Sequence, residues 1–351
     1  MTPSTRSSPG DVLVTCGGKW VGIVLQLKAA MAAVPALRGG RVLVSSSEEA
    51  TPAGAFADAA FVVPLIVDPC YIDALEALCV RERVRVVVPL IDLDVERLAP
   101  YRERFAAHGT TLVCPTPDLV ATCFDKGRFA ALAASEDLPV PRRVDPGELD
   151  AASYPLFYKL QKGFGSVGSG TCDSVTQARD VLARQPATVF EEVVTADEYS
   201  VDAYIARRGR CTVRVPRRRD KVVAGEVVRS QTVDVPRVSW VAARVIDALA
   251  RRGLRGPLNV QLFDGDPPRI IDVNTRVGSG FVLSNMATHG RLIGSILAEA
   301  SGADVEGDPD DYVRGMRLYR YYGDVFFADG RDPVAVPAGR ETRTNTLAIE
   351  P

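Results

Sequence analysis

Histidine is scarce in this chain of 351 residues, and its cysteines form no CxxC pair. The seven cysteines are odd in number and scattered, which in a chain of this length is typical of reduced, partly buried thiols in a cytosolic protein. A catalytic cysteine needs a histidine close to it in space, and only His108 and His289 are present. A thiol nucleophile is therefore disfavoured against simple burial of the cysteines.

Long hydrophobic runs and an excess of one charge are also missing. Charged residues such as Lys19, Lys28 and Asp58 interrupt the longest apolar stretches, and residues 1–10 lack the apolar run of a signal peptide. The formal net charge of −2 gives no general attraction to nucleic acid or to an anionic membrane. We expect a soluble, cytoplasmic protein that recognises small molecules at a defined site and has neither nucleic acid nor membrane as a partner.

Short β-branched runs alternate with helical patterns in the first part of the chain. The runs lie at residues 11–16, 41–45, 61–64, 85–89 and 111–114. This alternation predicts a doubly wound parallel sheet over residues 1–115. Gly17-Gly18 follows the first run, but the segment is not GxGxxG and Glu48 is displaced from the position of a ribose-binding acid. A tight strand-to-helix turn is the simpler interpretation, and a nicotinamide site the weaker one.

The rest of the chain divides into mixed segments over 116–196 and 197–327 and a polar tail over 328–351. Periodicity predicts helices over residues 95–108, 118–138, 171–184, 239–252 and 292–302. Strands are predicted over residues 154–159, 188–194, 198–206, 211–215 and 316–327, with a strand pair inside 222–235. The runs at 257–263 and 269–273 predict a hairpin, and a loop is expected at 274–280.

A glycine-rich segment follows the strand that ends at Lys159. Residues 163–170 hold four glycines in eight positions, too many for a stable helix or strand. Backbone amides approach phosphate oxygens only where side chains are small, and a lysine before such a loop can reach a phosphate. The candidates for phosphate contact are Gly163, Gly165, Ser166 and Gly168. The segment is not a P-loop, and a flexible linker stays the alternative.

Acidic residues mark the end of the strand over 188–194. Glu191-Glu192-Val193-Val194 is followed by Glu198. A nucleobase needs backbone donors and acceptors along one edge, and a ribose needs a carboxylate for its hydroxyls. A strand that leads into a turn offers both, although a solvated acidic strand end is the simpler alternative.

Oxygen-bearing side chains recur in the predicted hairpin over 257–273. Asp272, Asn274 and Arg276 alternate, so they point to one face of an extended segment, and Gln261 lies on the neighbouring strand. Carboxylate and amide oxygens suit magnesium, which bridges nucleotide phosphates. A guanidinium at Arg276 could stand beside the transferred phosphoryl group. In isolation, this spacing is also common on strand edges.

Taken in order and spacing, several segments resemble the ATP-grasp superfamily, specifically its carbamoyl-phosphate-synthetase-like branch. They are Asp125-Lys126, Lys159 with residues 163–170, FEEVVTADEYSVD at 190–202, VPRRRDKVVAGEVVRS at 215–230, GPLNVQLF at 256–263 and IIDVNTRVGSG at 270–280. The resemblance covers residues 11–327. It implies a mixed α/β and α+β protein with the ATP-grasp fold: an N-terminal Rossmann-like, pre-ATP-grasp domain and two subdomains that clamp ATP.

The resemblance also implies nucleotide-binding roles. Lys126 and Lys159 would be the two phosphate-binding lysines, and the glycine-rich segment would cover the phosphates. Glu191 and the backbone of Val194 would meet adenine, and Glu198 would hold the ribose.

The magnesium ligands implied by the resemblance are Gln261, Asp272 and Asn274. The family usually has glutamate where Asp272 stands and often proline where Thr275 stands. A shorter acid can still bind magnesium but shifts or weakens one of the metal ions. The Asn-Thr-Arg sequence is similar to that of biotin-dependent carboxylases, so Arg276 is the first choice for contacting a carboxyl group or acyl phosphate.

The implied activity is that of an ADP-forming ligase. ATP and magnesium would phosphorylate a carboxylate, and an amine would attack the acyl phosphate to form an amide. The alternatives are a carboxylase-type enzyme that phosphorylates bicarbonate and a nucleotide-binding module without turnover. We also allow for a homodimer.

Contacts to the substrate are assigned more loosely. Among the arginines of the third segment, Arg217 and Arg229 are the candidates for an anionic group, with solvated surface charge as the alternative. Asp92 and Asp94 follow a predicted strand at the edge where open parallel sheets bind ligands, so they could hold a substrate ammonium group.

Overall fold

Three main β-sheets make up the computed structural model, which describes residues 10–163, 165 and 167–327 and the backbone of 333–335. The first part of the chain comprises β1 (Asp11–Thr15), α1 (Val21–Met31), β2 (Val42–Ser46), α2 (Pro52–Phe56), β3 (Ala59–Val62), α3 (Tyr71–Glu82), β4 (Val84–Pro89), α4 (Asp92–Leu98), α5 (Arg102–Ala106) and β5 (Thr111–Leu112).

The first sheet is parallel throughout, in the order β3-β2-β1-β4-β5, as the alternation of strands and helices predicted. Every residue of β1 is buried, because helices cover both faces of the sheet. Val12 and Val14 pack on one face and Leu13 on the other. The strand order reverses between β1 and β4, so the carboxyl ends of these two strands border a crevice.

The helix predicted over residues 95–108 is divided in the structure. It begins earlier, at Asp92, and a short 3-10 turn at Ala99–Tyr101 separates α4 from α5. Pro100 lies in this turn, and its missing amide hydrogen interrupts the helical hydrogen bonds. The earlier start places Asp92 in the first turn of α4, directly beside the crevice.

The second part of the chain forms a small antiparallel sheet with one covering helix. Its elements, with two preceding helices, are α6 (Pro117–Phe124), α7 (Lys126–Ser135), β6 (Arg143–Val144), β7 (Leu156–Leu160), β8 (Gly170–Cys172), α8 (Val175–Arg184) and β9 (Thr188–Glu192). The strand order is β6-β9-β7-β8. Leu156, Cys172, Val181 and Phe190 belong to the core between this sheet and α8.

The helix predicted over residues 118–138 is two helices that meet at Asp125. The Asp125 carboxylate accepts hydrogen bonds from the amides of Gly127, at 2.8 Å, and Arg128, at 3.1 Å. Asp125 is therefore the N-cap of α7, and its extended backbone ends α6. Lys126 becomes the first residue of a helix whose start is fixed by this cap.

The third part of the chain is built on a six-stranded antiparallel sheet. Its elements are β10 (Glu198–Ile205), β11 (Cys211–Val223), β12 (Glu226–Thr232), α9 (Pro236–Arg251), β13 (Gly256–Phe263), β14 (Arg269–Asn274), α10 (Phe281–Ala287), α11 (Arg291–Ala300), β15 (Arg317–Tyr319), β16 (Phe326–Phe327) and β17 (Pro333–Ala335). The order is β14-β13-β10-β11-β12-β15, with β16 and β17 paired separately. The predicted hairpin of β13 and β14 is confirmed.

Two predictions in this part were wrong. The strand pair expected within 222–235 is a longer hairpin, in which β11 continues to Val223 and turns at Ala224-Gly225. Both turn residues have positive φ, 48° and 75°, so the glycine suits its position. Residues 316–327, expected as one strand, hold β15 and β16, and α10 follows the predicted loop at 274–280 without having been anticipated.

Shared hydrophobic cores join the three parts. Ile23 and Leu27 of α1 pack in one core with Phe281 of α10 and Leu292 of α11, which joins the first sheet to the third. Helices α6 and α7 pack on the other face of the third sheet, with α9, although they precede the second sheet in the chain. Among the described residues, no helix has the length and hydrophobicity needed to span a bilayer. The predicted tail at 328–351 lies outside them, apart from the backbone of β17.

Candidate active site

A cavity of about 380 Å³, which we call the interdomain cavity, lies where the three parts of the chain meet. The first part contributes Trp20, Ile91 and Asp92. The second contributes the two candidate lysines and the glycine-rich segment, and the third contributes residues of β10, β11, β13 and β14. Its volume is within the range of small-molecule sites, so it can hold a nucleotide-sized ligand.

Lys126 and Lys159 both line the interdomain cavity, although they belong to different elements. Lys126 Nζ donates to the Gly163 carbonyl at 3.1 Å and lies 3.2 Å from Asp272 Oδ1. Lys159 Nζ lies 2.8 Å from Glu191 Oε2 and donates to a carbonyl of β14 at 3.2 Å. The two ammonium groups therefore face one space, each held by an acid and a carbonyl.

The glycine-rich segment forms part of the cavity wall. Gly163 and Gly165 line the cavity, and the latter has a φ of +63° that favours glycine. A Cβ built on Gly225 would stand 2.9 Å from the Gly165 carbonyl carbon, so the segment touches the turn between β11 and β12. Gly168 packs against Leu160 instead, and Ser166 lies outside the described residues.

Four oxygen-bearing side chains face the cavity from β13 and β14. Gln261 pairs with Asp272 and Asn259 with Asn274 across the two strands, and all four line the cavity. Asn274 Nδ2 donates to Asp272 Oδ2 at 3.1 Å, and Gln261 Nε2 donates to Asn259 Oδ1 at 3.1 Å. Three amides and one carboxylate are hard oxygen donors, so the set fits a magnesium ion.

Asp272 is the single acid of that set. In the described part of the chain, no group of three or more His, Cys, Asp or Glu side chains is placed to hold a metal. A cation bound here would therefore depend on Asp272, on amide oxygens and on the phosphates of a nucleotide. Magnesium is commonly held by one or two carboxylates together with phosphate oxygens.

Arg276 forms an ion pair with Asp92 of the first part of the chain. Its Nη2 lies 2.7 Å and its Nε 3.0 Å from Asp92 Oδ2, and both residues line the cavity. Burial raises the pKa of the Asp92 carboxyl, and the Arg276 guanidinium opposes that shift. The pair joins the segment that follows β14 to the first turn of α4, so it presents a guanidinium and a carboxyl group to the same space.

The three glutamates predicted to meet the nucleoside, within residues 191–198, lie apart in the structure. Glu198 lines the cavity and lies 2.8 Å from Arg219 Nε. Glu191 lies behind Lys159, and Glu192 accepts a hydrogen bond from the Arg142 amide at 3.0 Å. The cavity wall, so far as described residues form it, does not include residues 191–194. Val193 is exposed and Val194 is half-buried.

The candidate substrate arginines have opposite environments. Arg217 is 2% exposed, lines the cavity, and pairs with Asp202 through Nε at 2.8 Å. Asp202 also accepts from Asn259 and from Ser284, at 2.5 and 2.6 Å. Arg217 Nη1 is buried and has no hydrogen-bond partner among the described residues. Arg229 is exposed on β12 and does not reach the cavity, so it drops out of the candidate site.

Asp94 also lies away from the interdomain cavity. It is fully buried in the first part of the chain, where Tyr71 donates to it at 2.7 Å and Thr15 donates as well. Because the compensating groups are hydroxyls, burial raises its pKa to about 6. The predicted contact of Asp94 with a substrate ammonium group is not retained.

Several cavity residues were missed by sequence reasoning. Asn259 precedes Gln261 by two positions on β13, so the alternation of a strand would have found it. Arg219 has the same relation to Arg217 on β11. The apolar wall carried no signal, because isolated hydrophobic residues are ordinary core residues. This wall includes Phe157, Leu160, Phe263 and Ile271.

Two family models match the sequence. Residues 12–113 match the PylC-like N-terminal domain, and residues 184–320 match the domain described as ATP-grasp in the biosynthetic pathway with Ter operon. Among proteins of curated function, no sequence matches the chain significantly. The two matched regions carry the first sheet and most of the third. They include the residues with which the first and third parts of the chain line the interdomain cavity.

Solved structures share the fold. The biotin carboxylase domain dimer of Hydrogenobacter thermophilus 2-oxoglutarate carboxylase, with MgADP, ADP and bicarbonate, has a TM-score of 0.71 at 14% identity over 89% of this chain and 74% of that one. The biotin carboxylase–βγ-ATP complex from Campylobacter jejuni has a TM-score of 0.71 at 14% identity over 90% and 75%. An L-amino acid ligase from Bacillus licheniformis has a TM-score of 0.66 at 17% identity over 86% and 76%. At these identities the likeness shows the fold alone.

Proposed function

Because the chain belongs to the ATP-grasp superfamily, we propose that it is an ATP-dependent ligase that joins a carboxylate to an amine and releases ADP and phosphate. One observation carries the proposal. Two lysines from the second part of the chain and an oxygen-donor set from the third converge on one cavity with the Asp92–Arg276 pair. Such a cavity can bind a triphosphate and a carboxylate side by side.

The nucleotide is held by groups that differ along the cavity. The apolar side chains of Phe157, Phe263 and Ile271 provide a surface for the adenine ring. Glu198 accepts from the ribose hydroxyls. Lys126, at the start of α7, and the backbone of the glycine-rich segment contact the phosphates, and Lys159 does so from β7.

Gln261, Asp272 and Asn274 form the proposed metal site, with Asn259 beside them. These side chains would hold a magnesium ion, whose charge would neutralise phosphoryl oxygens and help to orient the terminal phosphate. The paired strands fix the spacing of these side chains before any ion binds. Lys126 Nζ lies 3.2 Å from Asp272 Oδ1, so the lysine borders the proposed metal site.

The reaction proceeds by two displacements. A carboxylate oxygen attacks the terminal phosphorus, and the bond from that phosphorus to ADP breaks. The amine then attacks the acyl carbon, the bond from carbon to the phosphate oxygen breaks, and the amine loses its extra proton to solvent. Arg276 offsets the charge that develops on the transferred group, and the glycine-rich segment excludes water from the acyl phosphate.

Phosphorylation of bicarbonate is the second candidate. It is favoured by the structural likeness to two biotin carboxylases, one with bicarbonate bound, and by Arg276 in the Asn-Thr-Arg sequence. The ligase is favoured by the likeness to an L-amino acid ligase. The Hydrogenobacter domain is a dimer, and a homodimer of this chain remains a prediction.

ADP release distinguishes the candidates. The chain is incubated with ATP, magnesium and pooled amino acids, or with bicarbonate alone, while ADP and phosphate are followed. We expect release that requires both a carboxylate and an amine, with an amide product in the mass spectrum. Release with bicarbonate alone would favour the carboxylase. If ATP binds but no ADP is released, the remaining interpretation is a nucleotide-binding module without turnover.

A further inference from the structure

A second cavity, of about 320 Å³, lies at the carboxyl edge of the first sheet, and we call it the edge cavity. Residues after four neighbouring strands form it: Cys16 after β1, Ser45 at the end of β2, Leu65 after β3 and Leu93 after β4. The strand order reverses between β1 and β4, where open parallel sheets bind ligands. Its position is therefore that of a binding site.

The walls of the edge cavity are mainly apolar and partly exposed. Residues 63–67 form one side, and within them Leu65 is 61% and Val67 72% exposed. Neighbouring apolar side chains left in water favour a ligand that covers them. The occupant must therefore be largely apolar.

The edge cavity adjoins the interdomain cavity at Ile91, which lines both. The next two residues diverge: Asp92 faces the interdomain cavity and Leu93 the edge cavity. Both hydrogen bonds from Arg276 to Asp92 use Oδ2, so Oδ1 is placed to accept from an ammonium group. A zwitterion finds a cation and an anion on one side of Ile91 and an apolar cavity on the other.

We propose that the edge cavity receives the side chain of an α-amino acid whose ammonium and carboxylate groups contact Asp92 and Arg276. That side chain is apolar and covers the exposed wall at residues 63–67. The inference rests on the proposed ligase function, and it assigns this amino acid as the substrate that supplies the carboxylate.

Binding to the full-length chain, measured by calorimetry with MgADP present, tests the inference without turnover. L-Tyrosine and L-phenylalanine carry large side chains that can cover the apolar wall, and L-alanine lacks such a side chain. We expect both aromatic amino acids to bind about tenfold tighter than L-alanine.

The apolar wall has its own variant and a matched control. Leu65→Gln should weaken the binding of L-tyrosine and of L-phenylalanine about tenfold each. Because the Leu65 side chain is exposed, the substitution should not disturb folding. Val62→Gln is the control, because Val62 is 44% exposed and lies nearby but outside the described wall of the edge cavity. This variant should bind both aromatic amino acids as tightly as the wild type does. Equal affinities in Leu65→Gln and wild type, or no binding of either aromatic amino acid, would overturn the inference.

The inference and the proposed function fail separately. A chain that releases ADP with acidic or small amino acids, yet binds neither aromatic amino acid, retains the ligase and loses the edge-cavity assignment. A chain that binds L-tyrosine, with the loss of affinity expected in Leu65→Gln, but never releases ADP with any carboxylate and amine retains the binding site and loses the ligase.

Discussion

The interdomain cavity and the edge cavity share Ile91 but balance their polar groups in different ways. Two cations of the interdomain cavity meet acids from another part of the chain, in the Arg276–Asp92 and Lys126–Asp272 pairs. The edge cavity is built within the first sheet, and the buried acid Asp94 beside it meets neutral donors, the hydroxyls of Thr15 and Tyr71 and the thiol of Cys16. The first arrangement exists only when the domains are packed, whereas the second is complete within one domain.

Asp92 and Asp94 show this difference two positions apart on α4. Burial raises the pKa of both carboxyls. At Asp92 a guanidinium opposes the rise in pKa, whereas at Asp94 only neutral donors oppose it and the pKa is about 6. The two aspartates look equivalent in sequence, but one serves the interdomain cavity and the other the interior of the first domain.

The largest expected effect is on turnover. Lys159→Ala should lower kcat/KM for ADP release by about 10³-fold, because a cation aimed at the phosphates is lost. Lys162→Ala is the matched control: Lys162 is exposed, pairs with Glu96 and is not among the described residues that line the cavity. It should retain activity within about twofold. Comparable activity in the two variants would remove Lys159 from the site.

Next in size is a change in stability. Arg217→Ala leaves Asp202 buried without its cation, so the free energy of unfolding should fall by about 4 kcal/mol in urea titrations. Arg229→Ala, on the exposed face of β12, should change it by less than about 0.5 kcal/mol and leave turnover unchanged. A large loss of activity in Arg229→Ala would show that the interdomain cavity extends to residues it does not touch in this structure.

The smallest expected effect concerns the acid below the edge cavity. The folded-state pKa of Asp94 is raised from 3.8 to about 6, so its contribution to stability is greatest at low pH and falls as pH rises through that window. Relative to wild type, Asp94→Asn should therefore gain about 2 kcal/mol between pH 4 and pH 7 in urea unfolding. An Asp94→Asn curve that runs parallel to the wild-type curve would contradict the raised pKa.

Strand alternation explains why part of the site was predictable. Asp272, Asn274 and Arg276 had to share a face once the hairpin over 257–273 was recognised, and all three line the cavity. The parallel sheet followed from alternating strands and helices. The glycine-rich segment was recognisable because glycine excludes regular structure there.

Turn position explains where prediction failed. The strand pair expected within 222–235 is a hairpin that turns at Ala224-Gly225, and a shift of one residue in register moves a side chain to the opposite face. Composition alone could not separate Arg217, which is buried at the cavity, from Arg229, which is exposed. The Asp92–Arg276 pair joins residues 184 positions apart, a separation that no local pattern encodes.

By itself, the sequence determined the parallel sheet, the hairpin of β13 and β14, the place where glycine excludes regular structure and the alternating side chains that bring oxygens to one face, because these depend on neighbours along the chain. Tertiary structure alone decided which acid faces which base, that Asp92 serves the interdomain cavity while Asp94 is buried, and that a second cavity adjoins it at Ile91. The physical reason is that charge compensation and cavity shape depend on distances between segments, and packing of the shared cores sets those distances.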